Sequence, residues 1–173
     1  MIFTEFLETS VYLLATINPP SKIFLLSSMD PPYTKKEMLQ VCVRSSVAAF
    51  LILAAMAMVG NLLLVDMFKI DIYSLRVAGG IVLLLTGLHA VTKGMFYEKE
   101  DMDRISEMSI VPLAAPFIAG PGSITVSISI VSDSGRMMAL GCIFAAVFVN
   151  LLAMLSSPFI GKALSKYHAI GPA

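Results

Sequence analysis

The stretch from Ser109 to Ser132 constrains this chain most, because it carries no charged residue and is interrupted at its centre. As a helix it is long enough to cross the hydrocarbon core of a bilayer, which is about 30 Å thick. The interruption is Gly120-Pro121-Gly122, preceded by Pro116. Glycine and proline are poor residues for a helix interior, and proline lacks the N–H that an unbroken helix uses. The stretch therefore predicts two half-helices joined by irregular backbone within a membrane.

This C-terminal break (residues 119–123) indicates a site, because irregular backbone at membrane depth is tolerated only where protein buries it or where it lines a polar cavity. Gly120 can cap the second half-helix, and Pro121 falls at the first helical position, where proline is favoured. Gly122 and Ser123 would then present N–H groups without a partner in the helix, beside the positive end of its dipole. Such an end attracts a carboxylate. The alternative is that the prolines only kink a packed helix.

A second interruption, the N-terminal break (residues 17–21), divides an apolar stretch that runs from about residue 2 to residue 29. Its centre is Asn18-Pro19-Pro20, in which asparagine is a strong N-cap residue and Pro19 again takes the first helical position. A shift of 102 residues aligns this break with the C-terminal one. Paired interruptions in two halves of a chain are typical of transporters whose substrate site lies near the membrane midplane.

The composition also indicates a membrane protein, since 57% of the residues are hydrophobic and only 14% are charged. The surface of a soluble domain needs more charge than that. The formal net charge is zero, so no nucleic-acid partner is expected. Cys42 and Cys142 fall in apolar stretches and are expected to be buried free thiols. We expect no metal, no cofactor and no enzymatic activity, because the spans carry neither a metal-ligand pattern nor a nucleophile paired with a base.

The apolar pattern divides the chain into spans that suit an all-α, polytopic transmembrane helix bundle. We expect two inverted three-span repeats, each opening with a broken helix. The sixth span would fall at 176–198, beyond Ala173, and is expected to be absent from this chain. The predicted spans are 2–29, 39–65, 74–96, 109–132 and 137–160; the first repeat is 1–97, a charged linker is 98–108, and the second repeat is 109–173.

The distribution of positive charge predicts the orientation, because cytoplasmic loops carry an excess of lysine and arginine. We expect a multi-pass protein of the cell inner (plasma) membrane, with the N-terminus outside and the 97–108 linker in the cytoplasm. Seven positive residues lie on the predicted cytoplasmic side and three on the other: Lys35, Lys36, Lys93, Lys99, Arg104, Lys162 and Lys166 against Lys69, Arg76 and Arg136.

Three motifs resemble the MarC family of integral membrane proteins: V-P-L-A-A-P-F-I-A-G-P-G-S-I at 111–124, L-R-V-A-G-G-I at 75–81 and I-N-P-P at 17–20. The resemblance covers the whole chain in matching order. It implies six spans in two inverted repeats and a family that includes small neutral amino-acid transporters. The chain departs from the family in its absent sixth span and at Ser21-Lys22, where members often carry small or neutral polar residues.

The candidate substrate-binding residues lie at the two breaks. Half-helix ends, exposed carbonyls and hydroxyls there would recognise the carboxylate and ammonium groups of an amino acid. The alternative is that Asn18 only caps a helix and that the hydroxyls bond back to the backbone. The candidates are Asn18, Pro19, Ser21, Gly120, Pro121, Gly122, Ser123 and Thr125.

Four further polar residues fall within or beside the spans, where ionisable groups are functional candidates. Lys22 is either a charge partner at the N-terminal break or a side chain that snorkels to the interface. Arg44 is expected to snorkel, and Asn150 to form a hydrogen bond across helices. His89 either relays protons or packs against a carbonyl.

These patterns favour a secondary transporter or exporter of small neutral amino acids, such as glycine, alanine or serine, with the substrate bound at the two breaks. The alternatives are a channel-like pore for a small solute or ion, and a membrane scaffold whose breaks serve assembly alone. The expected partners are the lipid bilayer and a small-molecule substrate. The sequence leaves open a coupling proton or sodium ion and a homo-oligomer.

Overall fold

The computed structural model describes residues 2–27, 34–93 and 113–159, and in these ranges the regular secondary structure is helical throughout. The predicted all-α class is thus confirmed for this part of the chain, whereas the 97–108 linker and residues 160–173 lie outside it. The α-helices are α1 (Ile2–Ile17), α2 (Pro19–Ser27), α3 (Lys35–Gly60), α4 (Ile72–Lys93), α5 (Pro121–Ser134) and α6 (Arg136–Leu155); two segments are π-helical, Asn61–Met67 and Leu113–Ile118.

Three helical stretches are long and apolar enough to cross a membrane: Lys35–Leu64, Ile72–His89 and Arg136–Phe159. The first begins four residues before the predicted start of the second span at residue 39. Thr34 and Glu37 explain the difference, because the Thr34 hydroxyl accepts from the Glu37 N–H and the Glu37 carboxylate accepts from the Thr34 N–H at 2.9 Å. This capping box starts the helix in a charged turn that hydropathy alone does not reveal.

The N-terminal break lies between α1 and α2, at the position predicted. Asn18 adopts a left-handed conformation with φ 58°, which asparagine tolerates better than most residues that carry a side chain. Its N–H still donates to Leu14 O at 3.0 Å and closes the last turn of α1. The Ser21 N–H then donates to Asn18 O at 3.2 Å, so that α2 starts immediately after the break.

The C-terminal break also lies where it was predicted, but the backbone before it is not a regular half-helix. Residues 113–118 are π-helical, and within them Ala115 is extended, with φ −136° and ψ 123°. The ring of a proline clashes with the residue before it when that residue is helical, and Ala115 precedes Pro116. Beyond the break, Gly120 is the extended N-cap residue of α5 and Pro121 begins the helix, as predicted.

Helix α6 lies at the centre of the bundle and packs against α1, α3 and α5. Helices α3 and α6 are antiparallel. Met38, near the start of α3, lies 3.8 Å from the hydroxyl of Ser157, just beyond the end of α6, whereas Phe50, later in α3, meets Phe144, early in α6, edge-on. At the other end of the bundle, the Ser134 hydroxyl donates to Glu5 at 2.7 Å. The start of α1 and the end of α5 therefore lie together. The buried core includes Leu13, Ile17, Leu53, Ile143 and Met154.

Helix α4 stands apart from this core and packs mainly against α5. Large apolar side chains cover its outer surface, among them Leu84, Leu88 and Val91, which are 57 to 80% exposed. Such a surface would be unfavourable in water and suits the hydrocarbon of a bilayer. Gly79 allows the close approach to α5, since a Cβ added there would lie 2.8 Å from the Cβ of Thr125.

The adjacent glycines of α4 provide a matched test of this packing. We expect Gly79→Ala to destabilise the protein by about 1–3 kcal/mol, because the new methyl group overlaps Thr125. Gly80→Ala should be neutral or should stabilise by about 0.5–1 kcal/mol through helix propensity, because nothing lies within 4 Å of its added Cβ. Denaturant unfolding in detergent micelles measures both variants. Equal unfolding midpoints would show that α4 does not pack on α5 through Gly79.

Candidate functional site

A cavity of about 470 Å³ lies between α1, α4 and α5, and we call it the α1–α4–α5 cavity. Its volume falls in the range of small-molecule sites, roughly 300–1,000 Å³. It extends along α5 from Gly122 to Asp133, a distance of about 16 Å at the rise of an α-helix. Its polar lining comes from three helices and carries both signs of charge. The lining includes Glu8, Thr9, Tyr12, Arg76, Gly80, Gly122, Thr125, Ser129 and Asp133.

Two of the candidate residues at the C-terminal break, Gly122 and Thr125, line this cavity. The first hydrogen bond within α5 is donated by Ile124 to Gly120 O at 2.9 Å, so the N–H group of Gly122 precedes the hydrogen-bonded turns. The Thr125 hydroxyl donates to Pro121 O at 2.9 Å and keeps its lone pairs. The start of α5 therefore reaches the inner end of the cavity.

Gly122 is in direct contact with α4 as well, because a Cβ added there would lie 2.8 Å from Leu83 Cγ. The absence of a side chain at Gly122 thus serves the α4–α5 contact. A larger residue at this position would first displace Leu83, so its effect on a ligand cannot be separated from its effect on packing.

Ser123 is 2% exposed and is not among the cavity lining. Its hydroxyl donates to the backbone oxygens of Ile118, at 2.9 Å, and Gly120, at 3.0 Å. Ile118 precedes α5, and Gly120 is the N-cap residue of that helix. Ser123 therefore stabilises the backbone of the break, which is the alternative role considered for the hydroxyls.

The candidates at the N-terminal break, Asn18, Pro19 and Ser21, are not part of the cavity lining. The Ser21 hydroxyl donates to Asn18 O at 2.8 Å. The ammonium of Lys22 donates to Ile17 O at 2.6 Å and to the Ser21 hydroxyl at 3.2 Å. The side chains of Ser21 and Lys22 therefore bond to the carbonyls of this break, and the break does not border the cavity.

Lys22 is 4% exposed, so its side chain does not snorkel to an interface. Its ammonium lies at the carbonyl end of α1, where the last carbonyls lack partners within the helix and the helix dipole is negative. Lys22 is thus a buried cation that satisfies the end of a broken helix. The sequence places it next to the break, but it does not show where a flexible side chain of this length turns.

A charge pair, which the sequence analysis did not single out, lies at one end of the cavity. Arg76 of α4 forms an ion pair with Asp133 of α5, and both side chains are partly exposed, at 41% and 47%. The Nε of Arg76 lies 3.4 Å from the Ser129 hydroxyl, and its guanidinium lies 5.8 Å from the centre of the Tyr73 ring. Arg76 and Asp133 are 57 residues apart in the chain, so the sequence alone does not indicate that they form a pair.

The remaining polar candidates lie elsewhere. Arg44 and His89 are exposed on α3 and α4. Asn150 is fully buried. Its amide nitrogen donates to the Met154 sulfur at 3.2 Å within α6, instead of forming the predicted hydrogen bond to another helix. Cys42 and Cys142 are buried free thiols, as predicted. The described ranges contain no group of three or more histidine, cysteine or acidic side chains that could hold a metal ion.

The sequence of this chain matches a family of known proteins. Residues 3–169 match the family model described as MarC family integral membrane protein. A UPF0056 membrane protein of Pyrococcus horikoshii is 29% identical over 162 residues, which cover 94% of this chain and 80% of the relative. The UPF0056 membrane protein YvbG of Bacillus subtilis is 29% identical over 168 residues, covering 92% and 77%. No solved structure matches the chain.

The position of Lys22 can be tested by reversing its charge. We expect Lys22→Glu to destabilise the protein by about 3–5 kcal/mol, because it would place a buried carboxylate against the carbonyl of Ile17. The control is Lys36→Glu, an exposed change in the first turn of α3 that should be nearly neutral. Thermal unfolding of the two purified variants measures the difference. Similar losses, or none in Lys22→Glu, would mean that the ammonium does not stabilise the end of α1.

Proposed function

This chain belongs to the MarC family of integral membrane proteins, and we propose that it is a secondary transporter of small neutral amino acids such as glycine, alanine or serine. We assign the substrate to the α1–α4–α5 cavity. One observation carries the proposal: the cavity joins the start of a broken helix, at Gly122, to side chains of both charge signs. An amino acid at neutral pH carries both a carboxylate and an ammonium group, and such a lining suits a zwitterion.

The start of α5 supports the proposal through its electrostatics. The free N–H end of a helix is a favourable place for negative charge. In transporters with discontinuous helices, such ends face the anionic groups of substrates near the midplane. The chain satisfies the N-terminal break with its own Lys22 and Ser21, so we restrict the proposed site to the α1–α4–α5 cavity, which begins at the C-terminal break.

The proposal includes the inverted three-span repeats and the orientation inferred from the charges. The start of α1, the start of α4 and the end of α5 lie at one end of the bundle, joined by the Glu5–Ser134 and Arg76–Asp133 contacts. We propose that this end faces outward and that the 97–108 linker is cytoplasmic. The cavity then opens outward at its charge pair. Transport of this kind involves no covalent chemistry, so the proposal includes no enzymatic activity.

A scaffold without transport is the main alternative, because the N-terminal break is already satisfied by the chain. Uptake of radiolabelled glycine and alanine into proteoliposomes that contain the purified protein separates the two functions. Saturable uptake supports a transporter, whereas uptake that rises linearly with concentration supports a pore. Imposed sodium and proton gradients test each coupling ion. No uptake above protein-free liposomes, with a correctly folded protein, would support the scaffold.

Filling the cavity provides the test of its location. Gly80 lines the cavity and has nothing within 4 Å of an added Cβ, so Gly80→Leu should fill the space and abolish most uptake without a steric clash at the backbone. Gly87→Leu is the matched control, because Gly87 has the same open surroundings on the same helix but is not among the cavity lining. If Gly80→Leu retains the uptake rate of Gly87→Leu, the substrate binds elsewhere.

A further inference from the structure

We propose that the Arg76–Asp133 ion pair is the recognition element for the two charges of the substrate, an inference that rests on the proposed function. In this structure the guanidinium and the carboxylate form an ion pair with each other. When a zwitterion enters, its carboxylate takes the place of Asp133 on Arg76, and its ammonium takes the place of Arg76 on Asp133. One internal ion pair is thereby replaced by two ion pairs with the ligand.

The surroundings of Arg76 suit this exchange. Its guanidinium is held from two directions that do not involve Asp133: Nε lies 3.4 Å from the Ser129 hydroxyl, and the Tyr73 ring lies 5.8 Å away. Arginine presents several donors in a fixed plane and can bind a carboxylate through two parallel hydrogen bonds. Arg76 would therefore keep two neighbours, Ser129 and Tyr73, when it releases Asp133.

Because the pair is partly exposed, the free-energy cost of exchanging its partners is small. Arg76 and Asp133 are 41% and 47% exposed, and ion pairs at this level of exposure contribute little net stability. A ligand therefore displaces a weak contact. A buried pair of the same type would resist exchange, because either partner would be left charged and unpaired away from water.

The lining also supplies a second acidic group for the ammonium. Glu8 of α1 lies in the cavity with Asp133, so two carboxylates and one guanidinium face the same space. With the zwitterion bound, its ammonium would face the carboxylates of Asp133 and Glu8, and its carboxylate would face the guanidinium of Arg76. The neighbouring Glu5 is engaged by the Ser134 hydroxyl at 2.7 Å.

This arrangement predicts selection against singly charged ligands. A carboxylate alone would occupy Arg76 but would leave Asp133 without its cation. An amine alone would occupy Asp133 but would leave Arg76 without its anion. Specificity often depends on such unpaired groups as much as on favourable contacts. The cavity should therefore bind alanine and should discriminate against propionate and ethylamine, which each lack one of its two charged groups.

The experiment measures both binding and uptake. Calorimetry with the purified protein in detergent gives affinities for alanine, propionate and ethylamine, and proteoliposome uptake gives transport of alanine. The variants are Arg76→Gln, the exchanged pair Arg76→Asp/Asp133→Arg, and the control Arg136→Gln. Arg136 is an exposed arginine at the start of α6, near the same end of the bundle and outside the cavity lining.

We expect Arg76→Gln to weaken alanine binding and to raise the KM for uptake by at least about tenfold, the effect of losing a hydrogen bond to a charged group. Arg136→Gln should match the wild type. The exchanged pair should keep the thermal stability of the wild type, since the exposed pair contributes little to it, but should lose alanine affinity because the two charges then have reversed positions. Propionate and ethylamine should bind to the wild type at least about tenfold more weakly than alanine.

Each other outcome has a distinct meaning. If the exchanged pair recovers both stability and affinity, or if Arg76→Gln behaves as Arg136→Gln while alanine is still transported, the inference is wrong and the proposed function stands. If alanine binds in an Arg76-dependent manner but does not cross the membrane, the proposed function is wrong and the recognition element stands. If alanine neither binds nor crosses, both are wrong.

Discussion

A bilayer offers no water to backbone N–H and C=O groups, so a break in a membrane helix must find its hydrogen-bond partners within the protein. This chain contains two such breaks, and their surroundings determine much of its architecture. At the N-terminal break, Lys22 and Ser21 turn back onto the carbonyls of Ile17 and Asn18. At the C-terminal break, the Ser123 hydroxyl bonds to the carbonyls of Ile118 and Gly120. At both breaks, side chains of the protein supply hydrogen-bond donors to backbone carbonyls.

The two breaks resemble each other in sequence but differ in whether their residues line the cavity. A lysine ammonium occupies the first, and no residue from positions 17–21 lines the cavity. At the second, the hydroxyl of Ser123 satisfies carbonyls on one side, while Gly122 on the other side reaches the cavity. A shared motif can therefore serve a structural role in one half of a chain and a proposed binding role in the other. The bonding of each break distinguishes these roles.

The sequence predicted the positions of both breaks, because the causes are local: proline lacks an N–H, and glycine and asparagine tolerate unusual backbone. It did not predict the extended Ala115, which follows from the restriction that Pro116 places on the residue before it. Hydropathy also predicted the first residues of α4 and α6 to within two positions, whereas α3 begins four residues early because of its capping box. The cavity could not be predicted in the same way. It depends on how α4 packs against α5 through Gly79, and on a charge pair between residues 57 apart in the chain. The bonds made by Lys22 and Asn150 depend on the same packing.

The central claim is that the α1–α4–α5 cavity is a ligand site, and the reactivity of a cysteine within it tests this most directly. Gly80→Cys would place a thiol in the cavity, and Asp71→Cys would place one on the exposed loop before α4 at the same end of the bundle. The native Cys42 and Cys142 are buried, which keeps background labelling low. The measurement is the rate at which a small water-soluble thiol reagent modifies each variant. The account predicts that alanine slows labelling at Gly80→Cys but not at Asp71→Cys. Equal rates at Gly80→Cys with and without saturating alanine would contradict it.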